Sequence, residues 1–243
     1  MKISILTLFP EMFNDFLNTS IIKKARLKGL VEIECIDIRL FTTNKHHRVD
    51  DYPFGGGQGL VLAVQPVRDA LASVVTSSSH VLMTSASGST LTQKKVRQLA
   101  GHDHVVILCG HYEGFDERIK TLIHEEISIG DYILTGGELP AMVLTDAIAR
   151  LGEGVIRESS HLDESFETGL LEYPHYTKPV RIDDQEVPAV LLSGHHEEIR
   201  KYRLKESLRK TWMTRPDLFK DYELSKEETL FLIEILQESL KKA

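Results

Sequence analysis

Cysteine is nearly absent: Cys35 and Cys109 are the only two, and each sits inside an apolar run. With no Cys-x-x-Cys pair, neither a disulfide framework nor a cysteine-based zinc site is expected, and the usage suits a reducing, cytoplasmic setting. No Gly-x-Gly-x-x-Gly opens a helix after the first strand-like run, which disfavours a nicotinamide-dependent oxidoreductase. No Gly-x-x-x-x-Gly-Lys-Ser/Thr occurs, which excludes a P-loop. Long apolar runs are missing too. Ile3 to Leu8 is stopped by Phe9-Pro10 and no small-residue cleavage site follows, so it reads as a core strand and no membrane partner is expected. No internal repeat is present. Positive charge is in deficit: 29 Lys and Arg against 36 Asp and Glu give a net charge of −7, which taken alone argues against nucleic-acid binding.

What is present reads as an α/β domain. The chain has 243 residues, room for one large domain or two small ones. A chain of that size buries roughly 70–75% of its unfolded surface. Strands are expected over Ile3–Leu8, Val31–Ile38, His80–Thr84 and Val105–Cys109. Helices are expected over Met12–Leu17, Ser20–Lys28, Pro66–Ser73, Thr92–Leu99, Asp116–His124 and from Pro140 through Leu151. The 105–109 run is continuously apolar, as a buried parallel strand requires. Strand–helix alternation of this kind gives a mostly parallel sheet. Residues 152–169 are polar and glycine-interrupted and read as an interdomain linker. A second, mainly helical domain over 170–243 follows, with long helices over His196–Thr214 and from Ser225 to about Lys241.

Three glycine-rich segments follow strand-like runs: Thr84-Ser85-Ala86-Ser87-Gly88, Cys109 to Arg118, and Ser128 to Pro140. Any one of them is as readily a tight turn. Three at strand ends favour a ligand pocket, because open α/β sheets bind ligands beyond the carboxyl ends of their strands. No basic residue lies within 128–140, so phosphate is poorly served there; backbone amides and apolar contacts suit an uncharged adenosine group better. Phe54 to Gly59 is compatible with a phosphate-cradling loop or a flexible surface loop, with Lys45, Arg48, His46 and His47 favouring an anionic partner. Adjacent histidines, here His46-His47 and His195-His196, rarely converge on one ion, so no metal site is expected. Within 196–215, Arg200, Lys201, Arg203, Lys205, Arg209, Lys210 and Arg215 outnumber Glu197, Glu198 and Glu206 by seven to three, an excess of +4. That helix is either a solvated face or, with Tyr202 and Trp212, a nucleic-acid contact.

Ser128 to Pro140, Gly110 to Arg118, Pro53 to Leu60, Pro174-His175-Tyr176-Thr177-Lys178-Pro179 and Ser193-Gly194-His195-His196 carry a resemblance. The chain resembles the bacterial tRNA (guanine-N1)-methyltransferase family of the SPOUT class, from Leu8-Phe9-Pro10 to Trp212. The resemblance implies a SPOUT-type α/β domain with a deep trefoil knot over 1–151, S-adenosylmethionine held in the knotted loops, and a helical tRNA-binding domain. It also implies an obligate homodimer with active sites built from both chains, magnesium dependence without a dedicated site visible here, and methylation of the guanosine immediately 3′ of the anticodon.

Carried over by position, the cofactor contacts fall on Met83, Thr84, Ser85, Gly110, Tyr112, Gly114, Ser128, Ile129, Gly130, Asp131, Tyr132, Ile133, Leu134, Gly136, Gly137 and Pro140. Glu113 would meet the guanine or a neighbouring arginine, and Arg150 matches the catalytic arginine. The family's general base is an aspartate directly before Ser-Phe. Here Glu164 holds that position and Asp163 precedes it, so either one is a candidate. These types suit the reaction. Guanine N1 is protonated at neutral pH, so a carboxylate must accept its proton as the methyl group is attacked. A guanidinium can then stabilise charge developing toward O6. The competing reading is a non-catalytic RNA-binding protein with a degenerate cofactor pocket.

Overall fold

The computed structural model describes residues 1–156 and 164–242. The chain divides into two compact units, Met1–Arg157 and Glu158–Ala243. In the first unit five strands form one sheet: β1 (Lys2–Thr7), β2 (Glu32–Asp37), β5 (Ser79–Thr90), β6 (His104–Leu108) and β7 (Glu125–Ser128), in the order β2-β1-β6-β5-β7. Every pairing is parallel. Two-residue strands β3 (Asp50–Asp51) and β4 (Val61–Leu62) pair antiparallel within the long segment between β2 and the next helix.

The sheet is buried on both faces, which explains the apolar runs of its strands. Ile3, Ile5, Leu82, Val105 and Ile107 point to one side, where α2 (Ser20–Leu27), α4 (Gln93–Ala100) and α5 (Glu138–Ala149) supply Ile22, Val96, Leu99, Leu144 and Ile148. Leu6, Val81, Met83, Val106 and Leu108 point to the other, against Val67, Ala70 and Leu71 of α3 (Val64–Val74) and Ile119 of the 3-10 segment Glu117–Leu122. A short helix α1 (Asn14–Leu17) precedes α2.

Three elements depart from the sequence reading. β7 was implied only as a strand end before Ser128 and given no range; Glu125-Glu126-Ile127-Ser128 holds one apolar side chain, Ile127, and as an edge strand buries it and Ser128. β5 continues to Thr90, so Ser85–Gly88 belongs to an irregular strand rather than a free loop, with its register to β7 shifting between Thr84 and Ser89. The expected helix over 116–124 is a 3-10 segment, started by the Asp116 side chain accepting from Arg118 N.

The second unit packs α7 (His196–Thr214) on α8 (Lys226–Lys242) around Leu170, Leu208 and Ile235. It also holds α6 (Ala189–Leu192) and a hairpin of β8 (Arg181–Ile182) and β9 (Gln185–Glu186). Thr211 rather than Trp212 is buried on α7, its hydroxyl donating to Ser207 O and accepting from Leu171 N at 2.9 Å.

At the amino end of the sheet His104 is buried and uses both ring nitrogens, Nε2 2.8 Å from Ser4 Oγ and Nδ1 2.8 Å from Ser79 Oγ. Ser4 gives its single proton to Glu34 Oε1 at 2.7 Å. Nε2 must therefore carry the hydrogen, and in the neutral imidazole that burial favours Nδ1 accepts from Ser79. Burial first, and then the charge of Lys2, lowers the His104 pKa, against the pull of Glu34 and Glu32. His102, stacked on His80 at 4.2 Å, is lowered the same way, by burial and then by His80. Below about pH 6.5 the unfolded chain binds more protons than the folded one, so stability present above that pH is lost as pH falls. The urea midpoint should be lower at pH 5.5 than at pH 7.5. His104→Gln, which keeps one donor and one acceptor, should reduce that difference; an unchanged pH slope would contradict the assignment.

Candidate functional site

The strand order sets the carboxyl ends of β6, β5 and β7 side by side, and the three glycine-rich segments meet there. Gly137 N donates to Gly110 O at 2.6 Å, and His111 bridges Gly136 antiparallel. Thr84 Oγ1 donates to Leu108 O at 3.3 Å, beneath this junction. A Cβ on Gly137 would lie 2.2 Å from Thr84 Oγ1 and 2.6 Å from Gly110 N, so no larger residue fits. Tyr112 holds φ of +58°, a conformation that side chains other than glycine seldom take and that clusters at functional sites.

These segments enclose a cavity of about 490 Å³. Its wall includes Met83, Thr84 and Ser85 from β5; Gly110, Tyr112, Glu113 and Gly114; and Ser128, Ile129, Gly130, Tyr132, Ile133, Leu134, Gly136, Gly137 and Pro140. Asp131, grouped with them from sequence, is exposed and is not part of the wall. His111, Phe115, Asp116 and Glu117 of the expected Cys109–Arg118 pocket segment also line it, though not singled out as contacts; sequence reasoning missed Lys120 and Glu126. Glu126 was hidden because β7 was given no range.

The wall is acidic at its side chains and neutral along its backbone. Lys120, the one basic residue of the wall, pairs with Glu117 at 3.1 Å and Glu126 at 3.2 Å. Burial opposes ionisation of Glu126, but hydrogen bonds from Ser85 and Ser87 together with Lys120 outweigh it and lower its pKa. Arg118, hydrogen-bonded at 2.7 Å, holds Asp116 down to about 2. Burial raises the Tyr112 pKa, and its hydrogen bond to Asp50 adds to that. Such a cavity suits a neutral or cationic ligand and not a polyphosphate.

The stretch from Gly59 to Leu62 packs against this wall. Gly55, Gly56, Gly57 and Gly59 all have positive φ, and a Cβ on Gly59 would sit 2.4 Å from Glu113 Cγ. Glu113 N donates to Leu60 O at 3.0 Å and Leu62 N to Gly114 O at 2.9 Å. The long segment from 39 to 60 thus flanks the cavity, while Phe54 at its tip is fully exposed.

Arg150 caps the far end of α5 and lines a different depression with Phe16, Gln93, Met142 and Asp146. At about 1.5 Å per residue it lies roughly 15 Å along the helix from Pro140. Glu164 belongs to the second unit, where its carbonyl accepts from Glu167 N at 3.2 Å. Asp163 lies outside the described residues. Among the described residues no group of three or more His, Cys, Asp or Glu side chains is placed to hold a metal ion.

A parallel sheet with a nucleoside-sized, backbone-walled cavity over the carboxyl ends of neighbouring strands defines an α/β ligand-binding enzyme domain. The chain belongs to the tRNA (guanine-1)-methyltransferase TrmD family, whose model matches residues 1–221. Curated relatives agree along nearly the whole length. The tRNA (guanine-N(1)-)-methyltransferase of Bacillus subtilis (strain 168) is 49% identical over 239 residues, covering 96% of this chain and 98% of its own. That of Bacillus cereus (strain G9842) is 50% identical over 243 residues, covering 98% and 100%. That of Alkaliphilus metalliredigens (strain QYMF) is 52% identical over 242 residues, covering 97% and 98%.

The close approach at Gly137 yields a direct test. Gly137→Ala should abolish measurable cofactor binding and destabilise the protein by about 1–3 kcal/mol, the usual range for overpacking. Calorimetric titration and thermal melting read both effects; a variant that binds normally would show that the junction is not tight.

Proposed function

We propose that the chain is a tRNA (guanine-N1)-methyltransferase that uses S-adenosylmethionine to methylate N1 of the guanosine immediately 3′ of the anticodon. The observation that carries this reading is the backbone-walled, acid-rimmed cavity at the β6, β5 and β7 ends in a chain of this family. The cavity fits the cofactor in three respects. Its volume of about 490 Å³ falls within the ~300–1,000 Å³ of small-molecule sites. Gly136 and Gly137 line it without side chains. Its acidic rim favours a cation. When bound, the cofactor supplies an electrophilic methyl group on a positively charged sulfur.

The protein's own residues supply the rest. Met83, Ile129, Tyr132 and Leu134 offer apolar and aromatic surface to the adenosine portion, and the backbone of the 129–135 loop offers hydrogen bonds. Glu164, or Asp163 beside it, accepts the proton from guanine N1, and Glu113 meets the guanine edge or a nearby arginine. Arg150 stabilises negative charge developing toward O6. The length of α5 between Pro140 and Arg150 supports a homodimer in which Arg150 serves the partner's cavity. The close passage of Gly136–Gly137 beside Thr84 and Gly110 supports a knotted path for this segment. In this reading 1–151 binds the cofactor, 152–169 links, and 170–243 binds tRNA, in the cytoplasm; magnesium is assigned no residue. No helix among the described residues is long and apolar enough to cross a membrane.

Incubation with S-adenosylmethionine and a tRNA transcript should place one methyl group on that guanosine, which a non-catalytic RNA binder would not do. Glu164→Gln should lower single-turnover methyl transfer by about 10²–10⁴ while cofactor affinity stays unchanged. Wild-type turnover in that variant would remove Glu164 and leave Asp163.

A further inference from the structure

The cations of α7 fall into two groups with different surroundings. Arg200 is held by Glu197 at 3.0 Å and by Glu227 of α8 at 2.7 Å. Lys205 is held by Glu234 at 2.8 Å and Glu238 at 3.1 Å, and Arg209 by Glu206 at 3.0 Å and Glu238 at 2.8 Å. Lys201 lies 3.4 Å from Glu198. A phosphate would have to displace these carboxylates. Most of the positive excess seen in the sequence of α7 is thus neutralised within the second unit.

Arg203 and Lys210, one heptad apart on a different face, make no ion pair among the described residues and are exposed. Arg203 lays its guanidinium 4.8 Å from the Tyr173 ring centroid. Tyr173 packs on His175 at 4.9 Å, and Lys210 Nζ donates to Glu172 O at 3.1 Å. Tyr176 is 48% exposed and lies beside Tyr202. The nearest carboxylate of this segment, Glu172, is engaged by His175 Nε2 at 2.6 Å. Lys178 makes no ion pair among the described residues.

We propose that the second unit takes single-stranded RNA on this aromatic and cationic surface, Tyr173 to Lys178 with Arg203 and Lys210, and not on the ion-paired row of α7. The inference rests on the tRNA reading above and names where and how that substrate is gripped. A guanidinium held over a tyrosine ring keeps edge N–H donors for phosphate or a base edge. An exposed tyrosine beside it offers a ring on which an unstacked base can lie. Unpaired loop bases can be splayed onto such a surface, whereas a continuous duplex keeps its bases stacked and needs mainly backbone charge.

The test uses the full chain, a tRNA transcript and S-adenosylhomocysteine. Arg203→Ala/Tyr176→Ala should raise the transcript's Kd about tenfold or more, the range found when stacking contacts are truncated. Its melting temperature and S-adenosylhomocysteine affinity should stay those of wild type. Arg203→Lys, which keeps the charge and loses the planar fork, should recover only part of the loss, and Lys201→Ala should bind like wild type. Unchanged transcript affinity in the double variant, with wild type still methylating the transcript, overturns this surface and leaves the enzymatic reading standing. Equal losses in Lys201→Ala and Arg203→Ala also overturn it, by showing that charge alone governs binding. A wild type that neither binds nor methylates the transcript overturns both.

Discussion

The cavity depends on one junction: Gly137 lies against Thr84 and Gly110 and Gly136 against His111, fastened by the 2.6 Å hydrogen bond from Gly137 N to Gly110 O. Three segments far apart in sequence become one wall because a chain without side chains at 136 and 137 can approach this closely. The sheet below supplies the alignment. β6, β5 and β7 are neighbours and parallel, so their ends fall at the same level. A backbone wall brings polar groups without bringing charge, and the charge present is acidic. That combination excludes polyphosphates and admits a cationic nucleoside derivative.

The same sequence feature can have opposite meanings in different surroundings. The positive excess of α7 was compatible with a solvated face or a nucleic-acid contact, yet α8 brings Glu227, Glu234 and Glu238 to Arg200, Lys205 and Arg209. Those pairs are intramolecular cross-links between two helices. The two exposed cations that escape them share a face with aromatic side chains of the 173–178 segment. Local charge therefore matters less than which residues the fold sets opposite it.

Much of the first unit was legible because two-sided burial leaves a strong pattern. Ile3–Leu8 and Val105–Cys109 are apolar throughout, and glycine punctuation marked the loops. The mostly parallel sheet and the three pocket segments followed from that, and the individual wall residues from the family resemblance. β7 was not legible: an edge strand with one apolar residue, Ile127, has no period to read. The extension of β5 to Thr90 was hidden by Ser85–Gly88, whose small polar residues read as a loop while the β7 edge holds them in an irregular strand. Asp131 was grouped with its neighbours in sequence, but Gly130, at φ of +148°, precedes it in a turn where it is exposed. The spacing of Arg150 from the cavity was legible in the helix expected from Pro140 through Leu151, which the structure begins at Glu138.

Amide hydrogen exchange with and without S-adenosylhomocysteine tests most directly whether the backbone of these three segments holds the cofactor. Protection should rise within 83–88, 109–116 and 128–140 and stay unchanged in the α7–α8 unit. Ligand binding that left 128–140 exchanging as in the free protein would contradict it.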